Sequence, residues 1–161
     1  MKQIRTVSGY ILAWSLWALT SASGVVILFW PVRDAIRSLT EALTMRALHG
    51  TSAQQFQVPY TRNSVDRVSV VVLGVLSVLL VVGVEHYYRE GLEDSQLWRR
   101  FVRVTAIESG VLFAAYAIQM IYLGVLGLFT IWSVVIPAGV LLVTVALTWL
   151  LSRMSANPSA A

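Results

Sequence analysis

The chain has 161 residues and a formal net charge of +4; 57% of its residues are hydrophobic and 12% charged, and mean hydropathy is +0.73. A water-facing fold carries about 25% charged residues to coat its surface, so a soluble enzyme, a disordered chain and a fibrous repeat are excluded, leaving an all-α integral membrane protein. The absence of cysteine excludes disulfides, thiolate metal sites, thioether-linked haem and a cysteine nucleophile.

Charge-free runs mark the membrane spans. The first covers residues 6–32 and the second 68–84, while the third is the 44 residues 109–152. A crossing needs about 20 apolar residues, so the third run suits two spans. Its break falls at Gly124-Val125-Leu126-Gly127, where paired glycines favour a tight turn. The sequence therefore predicts four transmembrane helices, at about 9–30, 66–88, 101–123 and 130–151, in a single membrane domain over 1–161. Lys2, Arg5 and the small residues Ser21-Ala22-Ser23 give the first span some features of a signal peptide, but its apolar run continues to residue 30, which predicts an uncleaved helix.

Residues 32–48 between the first two spans have a helical period. Val32, Ile36, Leu39, Leu43 and Ala47 share one face, and Asp34, Arg37, Ser38, Glu41 and Thr44 the other. This pattern predicts an interfacial amphipathic helix along the membrane surface. Its mixed charge argues against a polybasic lipid anchor. Its apolar face either shields the bundle or packs on a partner subunit, with Ile36, Leu39 and Leu43 as the contacts. Residues 49–62 read as an irregular polar loop, in which Phe56 and Tyr60 are further candidate contacts.

Asn63 or Ser64 is positioned to cap the second span, Gly91 to end it, and Asp94 or Ser95 to cap the third, giving a helical hairpin whose ends protrude from the bilayer. Trp30, Tyr87, Tyr88, Trp98, Trp132 and Trp149 fall at the depths of interfacial aromatic belts, and Pro137 lies early in the fourth span.

The third span carries the most informative polar residues. Glu108, mirrored across the hairpin turn, lies near the level of Ser77 and roughly 12 Å deeper than Glu85. An ionisable group at such depth costs about 2.5–3.5 kcal/mol on insertion scales, so it should face protein or water. One reading is a coupling acid in a proton relay; the other, favoured because no second acid shares its level, is a carboxylate bonded to Thr105, Ser77 or a partner chain. At 100° per residue, Thr105, Glu108, Leu112, Gln119 and Tyr122 share one side of the helix. Ala106, Gly110, Ala114 and Ala117 lie nearly opposite, in a small-residue stripe suited to close helix packing.

His86 is the one candidate cofactor ligand, for a haem or a metal. The other histidine, His49, falls on the opposite side of the membrane, which argues against an intramolecular bis-histidine site. No cofactor is indicated by sequence. Glu85, His86 and Glu90 face Arg99, Arg100 and Arg103 across the hairpin, as interfacial ion pairs would. No phosphate loop, H-E-x-x-H or Ser/His/Asp arrangement occurs.

With four spans, seven basic residues (Lys2, Arg5, Arg89, Arg99, Arg100, Arg103, Arg153) share the side of the termini, against five (Arg33, Arg37, Arg46, Arg62, Arg67) on the other. That excess puts both termini in the cytoplasm of a bacterial plasma membrane. The resulting expectation is a non-catalytic accessory or structural subunit of a larger membrane complex, packing through its third helix, interfacial helix and first loop. Its expected partners are the lipid bilayer and other membrane subunits, with a homo-oligomer as the alternative, and no nucleic acid. Competing expectations are a small oligomeric transporter or channel subunit using Glu108, with Gln119 and Tyr122 along the path, and a cofactor- or lipid-binding subunit using His86 or the aromatic residues.

Overall fold

A computed structural model of the chain describes residues 2–47, 54–93, 96–128 and 130–156. The described residues are helical apart from short connections. Helix α1 is Lys2–Ile27, a π-helical turn spans Leu28–Val32, α2 is Arg33–Ala47, α3 Gln54–Glu93, α4 Leu97–Val125 and α5 Ile131–Ala156. Four segments are long and apolar enough to cross a membrane: α1 running on into α2, then α3, α4 and α5.

Pro31 accounts for the π turn. Proline lacks an N–H, and its ring collides with the carbonyl one turn back, so a regular helix cannot pass through it unchanged. Here the helix widens instead of stopping. Ile27 and Arg33 on either side keep helical backbone angles, and the Arg33 N–H reaches back to the Leu28 carbonyl.

Helix α3 runs antiparallel to this rod and stays in step with it along its whole length. Gly9 lies against Leu92, Trp17 bonds the Val81 carbonyl, Arg33 pairs with Asp66 and Glu41 with Arg62. Helix α2 therefore continues beside α3 past the π turn. The 40 residues of α3 make a rod of roughly 60 Å, about twice the hydrocarbon thickness of a bilayer.

This length corrects three expectations. Residues 54–62 are helical, not an irregular loop, and Asn63 and Ser64 lie inside α3 instead of capping it. The polar stretch resembles a loop by composition, but packing against α2 and ion pairing with it favour continued helix. Gly91 is likewise helical; it makes room for Arg100, whose Cδ would sit 2.7 Å from any Cβ placed there. Residues 48–53 with His49, and the proposed caps Asp94 and Ser95, lie outside the described residues.

The glycine turn is present. Leu128 N–H bonds Leu123 carbonyl (2.9 Å), Gly127 N–H bonds Gly124 carbonyl (3.1 Å), and Gly127 has φ +69°. This is a Schellman closure, which needs a left-handed residue where only glycine is unstrained. Helix α5 then returns along α4. Its covered positions are Ser133, Pro137, Val140, Thr144, Leu147, Leu151 and Met154, spaced alternately four and three apart in a single narrow seam. Among the described residues α5 packs on α4 alone. The architecture is thus a cluster of α1–α2, α3 and α4 with α5 laid on its outer side. Its core is small, with Ala13, Leu16, Leu73, Val102, Ala106 and Ala115 buried beside the hydroxyls Thr20, Ser21, Ser69 and Ser77, while most large apolar side chains face outward. That inversion is expected where the surroundings are lipid, since small residues and hydroxyls let helices approach.

Candidate functional site

The polar side of α4 faces the α1–α2 rod. Ser23 donates a 2.8 Å hydrogen bond to Glu108 Oε2, Gln119 Nε2 donates to the Pro31 carbonyl at 3.0 Å, and the Tyr122 hydroxyl lies beside the Glu41 carboxylate. Three residues spaced along one face of α4 thus fasten it to three successive levels of the rod. The Pro31 carbonyl belongs to the widened turn, so Gln119 engages the backbone where the regular helix is interrupted. Thr105 and Ser77 bond only their own helices, at Phe101 and Leu73.

Glu108 therefore takes its partner from α1, not from across the α3–α4 hairpin. The reason is visible at Gly24. A Cβ built there would stand 3.0 Å from both Glu108 Oε1 and a Leu80 methyl, so α1 is wedged between α3 and α4 at this depth. Glu108 Oε1 has no hydrogen-bond partner among the described residues, nor do Ser21 Oγ and the Tyr88 hydroxyl, although Thr20 lies beside the latter.

The small-residue stripe is used unevenly. Ala106 is buried and Ala117 half-buried, Ala114 is exposed, and a Cβ at Gly110 would meet nothing within 4 Å. Among the described residues no other helix approaches Gly110 closely.

Helix α2 turns its polar side toward the protein. Asp66 of α3 receives Arg33 through two bonds of 2.7 and 2.8 Å and Arg37 through one of 2.5 Å, and Arg37 also contacts Asp34 at 3.4 Å. One turn further, Arg62 meets Glu41 at 3.4 Å. Ala35 is buried at 3% exposure beside this network, while Leu39 and Leu43 on the other side are 48% and 59% exposed. Ile36 is half-buried and, with Val32 and Leu28, lines an open apolar groove of about 480 Å³ against Val65, Val68 and Val72. Tyr60 is 76% exposed; Phe56 lies in the first turn of α3, with its side chain outside the described set.

At the opposite end of α3, His86 is exposed and contacts Glu90 at 3.1 Å; no cluster of three metal-ligating residues occurs among the described residues. Arg100 bridges to Glu90 and to the Tyr87 carbonyl while lying over the Tyr87 ring, and Arg103 bonds the Tyr87 hydroxyl. A cleft of about 300 Å³ opens here between α1 and α3, with Trp14, Trp17 and Tyr88 in its wall and Glu85 and Arg89 at its rim. A polar cleft of about 280 Å³ lies by Arg37, Asn63 and Asp66, and a shallow depression lies along Val7, Ile11 and Ala18. Glu108 lines none of these four.

Sequence reasoning missed Ser23, Gly24, Asp66 and the Pro31 carbonyl. Ser23-Gly24 was legible as a small-residue pair within a span, the usual mark of a close crossing. Asp66 stands at the mouth of the second charge-free run, as Arg33 does at the end of the first, and that symmetry was the available signal. No family model matches the chain, and neither a curated protein nor a solved structure is detectably similar to it.

Proposed function

We propose that the chain is a non-catalytic subunit of a larger membrane assembly, docking a partner through the outward face of α2 and offering the open part of the small-residue stripe on α4 as a second contact. The orientation of α2 carries this reading. Arg33, Arg37 and Glu41 are held against the protein, and Leu39 and Leu43 are left outside. The Glu41–Arg62 pair sets the middle of α2 at the level of Arg62, roughly 9 Å beyond Val68, where the charge-free run of α3 begins. With the charge-free run taken as the bilayer core, this reading puts Leu39, Leu43 and Tyr60 near or past the headgroups, where acyl chains do not cover them. Exposed apolar groups clustered at such a level mark an interaction surface.

The Glu108 contacts support the same reading. One oxygen is bonded to Ser23 and the other lies against Gly24 and Leu80, an arrangement that holds helices together. In this proposal the chain belongs to a bacterial plasma membrane with both termini in the cytoplasm, and the α2 face meets a partner on the far side.

The test is mild-detergent affinity purification of the tagged chain from its native host, followed by sizing and identification of co-eluting proteins. The expected outcome is stoichiometric co-elution with a larger membrane protein, lost in the Leu39→Ser/Leu43→Ser variant and kept in Ile131→Ser, which alters an exposed apolar residue elsewhere. A clean homo-oligomer would overturn the proposal, and Glu108→Gln would then be the first variant to assay for transport.

A further inference from the structure

The cleft between the first half of α1 and the last turns of α3 has features of a binding site that the subunit reading does not use. Trp14 and Trp17 meet edge to face, with centroids 5.0 Å apart and planes at 84°, so they form a corner with two perpendicular ring faces. Trp17 is fixed there by its indole N–H, which donates to the Val81 carbonyl at 3.1 Å. Tyr10 and Tyr88 extend the aromatic wall. At the rim Arg89 Nη2 contacts Glu85 Oε1 at 2.7 Å, with the Arg89 side chain 66% exposed and Glu85 31%.

Each member of that pair keeps capacity in reserve. A guanidinium has five N–H donors and a carboxylate about four lone-pair sites, and their contact occupies one of each. The rim therefore offers a cationic donor fork and an anionic acceptor one helical turn apart, beside an aromatic corner. Aromatic faces attract ammonium groups, and a neighbouring carboxylate strengthens that preference. A guanidinium fork fits phosphate oxygens. The cleft straddles the end of the charge-free run 68–84, with Trp17 bonded at Val81 inside it and Glu85, Tyr88 and Arg89 beyond it, which is the border of hydrocarbon and headgroups in a membrane-spanning reading of α3.

We infer that this cleft binds an ammonium-bearing phosphate diester or monoester of the phosphoethanolamine class, with its ammonium in the Trp14–Trp17 corner beside Glu85 and its phosphate on Arg89. The depth of the cleft makes a zwitterionic phospholipid headgroup its natural source, and a soluble phosphoethanolamine has the same recognition chemistry. The inference does not depend on the subunit reading, since a chain that assembles with nothing still holds such a lipid here.

The experiment uses the full chain in nanodiscs of equimolar phosphatidylethanolamine and phosphatidylglycerol, released into detergent, with retained lipid identified by native mass spectrometry. The expected result is retention of phosphatidylethanolamine over phosphatidylglycerol by about fivefold or more, the size of one solvent-exposed cation–aromatic contact. Glu85→Gln and Trp14→Leu each bring the ratio close to unity, and Trp149→Leu, an exposed aromatic on α5, leaves it unchanged. Equal retention of both lipids by the wild-type chain overturns the inference, as does a preference that survives Glu85→Gln. Should Trp14→Leu fail to elute as folded protein, Tyr10→Leu and the half-buried Glu85 position carry the comparison. Soluble O-phosphoethanolamine then separates the sources. Displacement of bound lipid at millimolar concentration assigns the cleft to the headgroup alone; lipid retained against it assigns the cleft to the whole phospholipid.

Discussion

Two glycines at different surroundings give a sharp test of the packing. Gly24 touches Glu108 Oε1 and Leu80, so an added methyl must push α1 away from its neighbours. Gly24→Ala is expected to lower stability by about 1–3 kcal/mol, the usual cost of overfilling a tight contact. Gly110 faces open space, so Gly110→Ala is expected to leave the isolated chain as stable or up to about 1 kcal/mol more so, because alanine favours helix. Unfolding midpoints in a denaturing detergent titration check both, and equal effects at the two sites would refute the wedged geometry. The same method tests the Ser23–Glu108 bond. A double-mutant cycle of Ser23→Ala and Glu108→Ala is expected to give a coupling of about 0.6–2 kcal/mol, the range for a polar contact between membrane helices. A coupling near zero would mean that the bond does not join α1 to α4. The level of Glu108 along α3 was legible in sequence to within a helical turn, since the hairpin reflection sets it near Ser77 and the structure sets it with Leu80 at Gly24. Its partner was not, because reflection across a hairpin assumes that sequence neighbours are spatial neighbours, and here α1 lies between them.

At the scale of elements, α2 shows what periodicity reveals and what it leaves open. The two faces of the helix were readable from spacing alone. Which face turns inward was not, since hydrophobic burial decides orientation only when the outside is water. In α2 the orientation is set by Asp66, which receives Arg33 and Arg37 from the neighbouring rod, and by Glu41 with Arg62. Such pairs link residues 21 to 33 positions apart and have no local signature. The chain has no cysteine, so single cysteines report exposure without background. Leu43→Cys is expected to react quickly with a water-soluble maleimide in detergent, and Ala35→Cys slowly. Placing Ala35→Cys in an Asp66→Asn background removes the shared countercharge of two guanidiniums, and the protection of residue 35 is expected to fall. Unchanged protection would show that apolar contact with α3, not the ion pairs, holds α2 in place. The length of α3 escaped the sequence for a related reason: polar residues 54–64 look like loop and cap until a second helix lies beside them.

At the scale of the molecule, the rods are longer than a bilayer and extend unequally. Fourteen residues of α3 precede its charge-free run and nine follow it, which is about 21 Å of helix on one side and about 14 Å on the other. The longer projection is paired with α2 and carries Leu39, Leu43 and Tyr60; the shorter joins Arg99, Arg100 and Arg103 at the start of α4. Basic residues decide which end stays in the cytoplasm during insertion, and anionic lipids of the cytoplasmic leaflet then attract those at the surface. Both effects favour the end with seven, which holds Arg89, Arg99, Arg100, Arg103 and Arg153. In the proposed reading the projecting α2–α3 tip is then on the outer side, and the proposed partner has an extracytoplasmic part. Arg46→Cys and Gln96→Cys sit on exposed residues at the two ends and test this directly. A membrane-impermeant maleimide applied to spheroplasts is expected to label residue 46 and not residue 96, with the pattern reversed in everted vesicles. The opposite pattern would place the tip in the cytoplasm and move the search for a partner there, while the packing of α2 on α3 would stand unchanged.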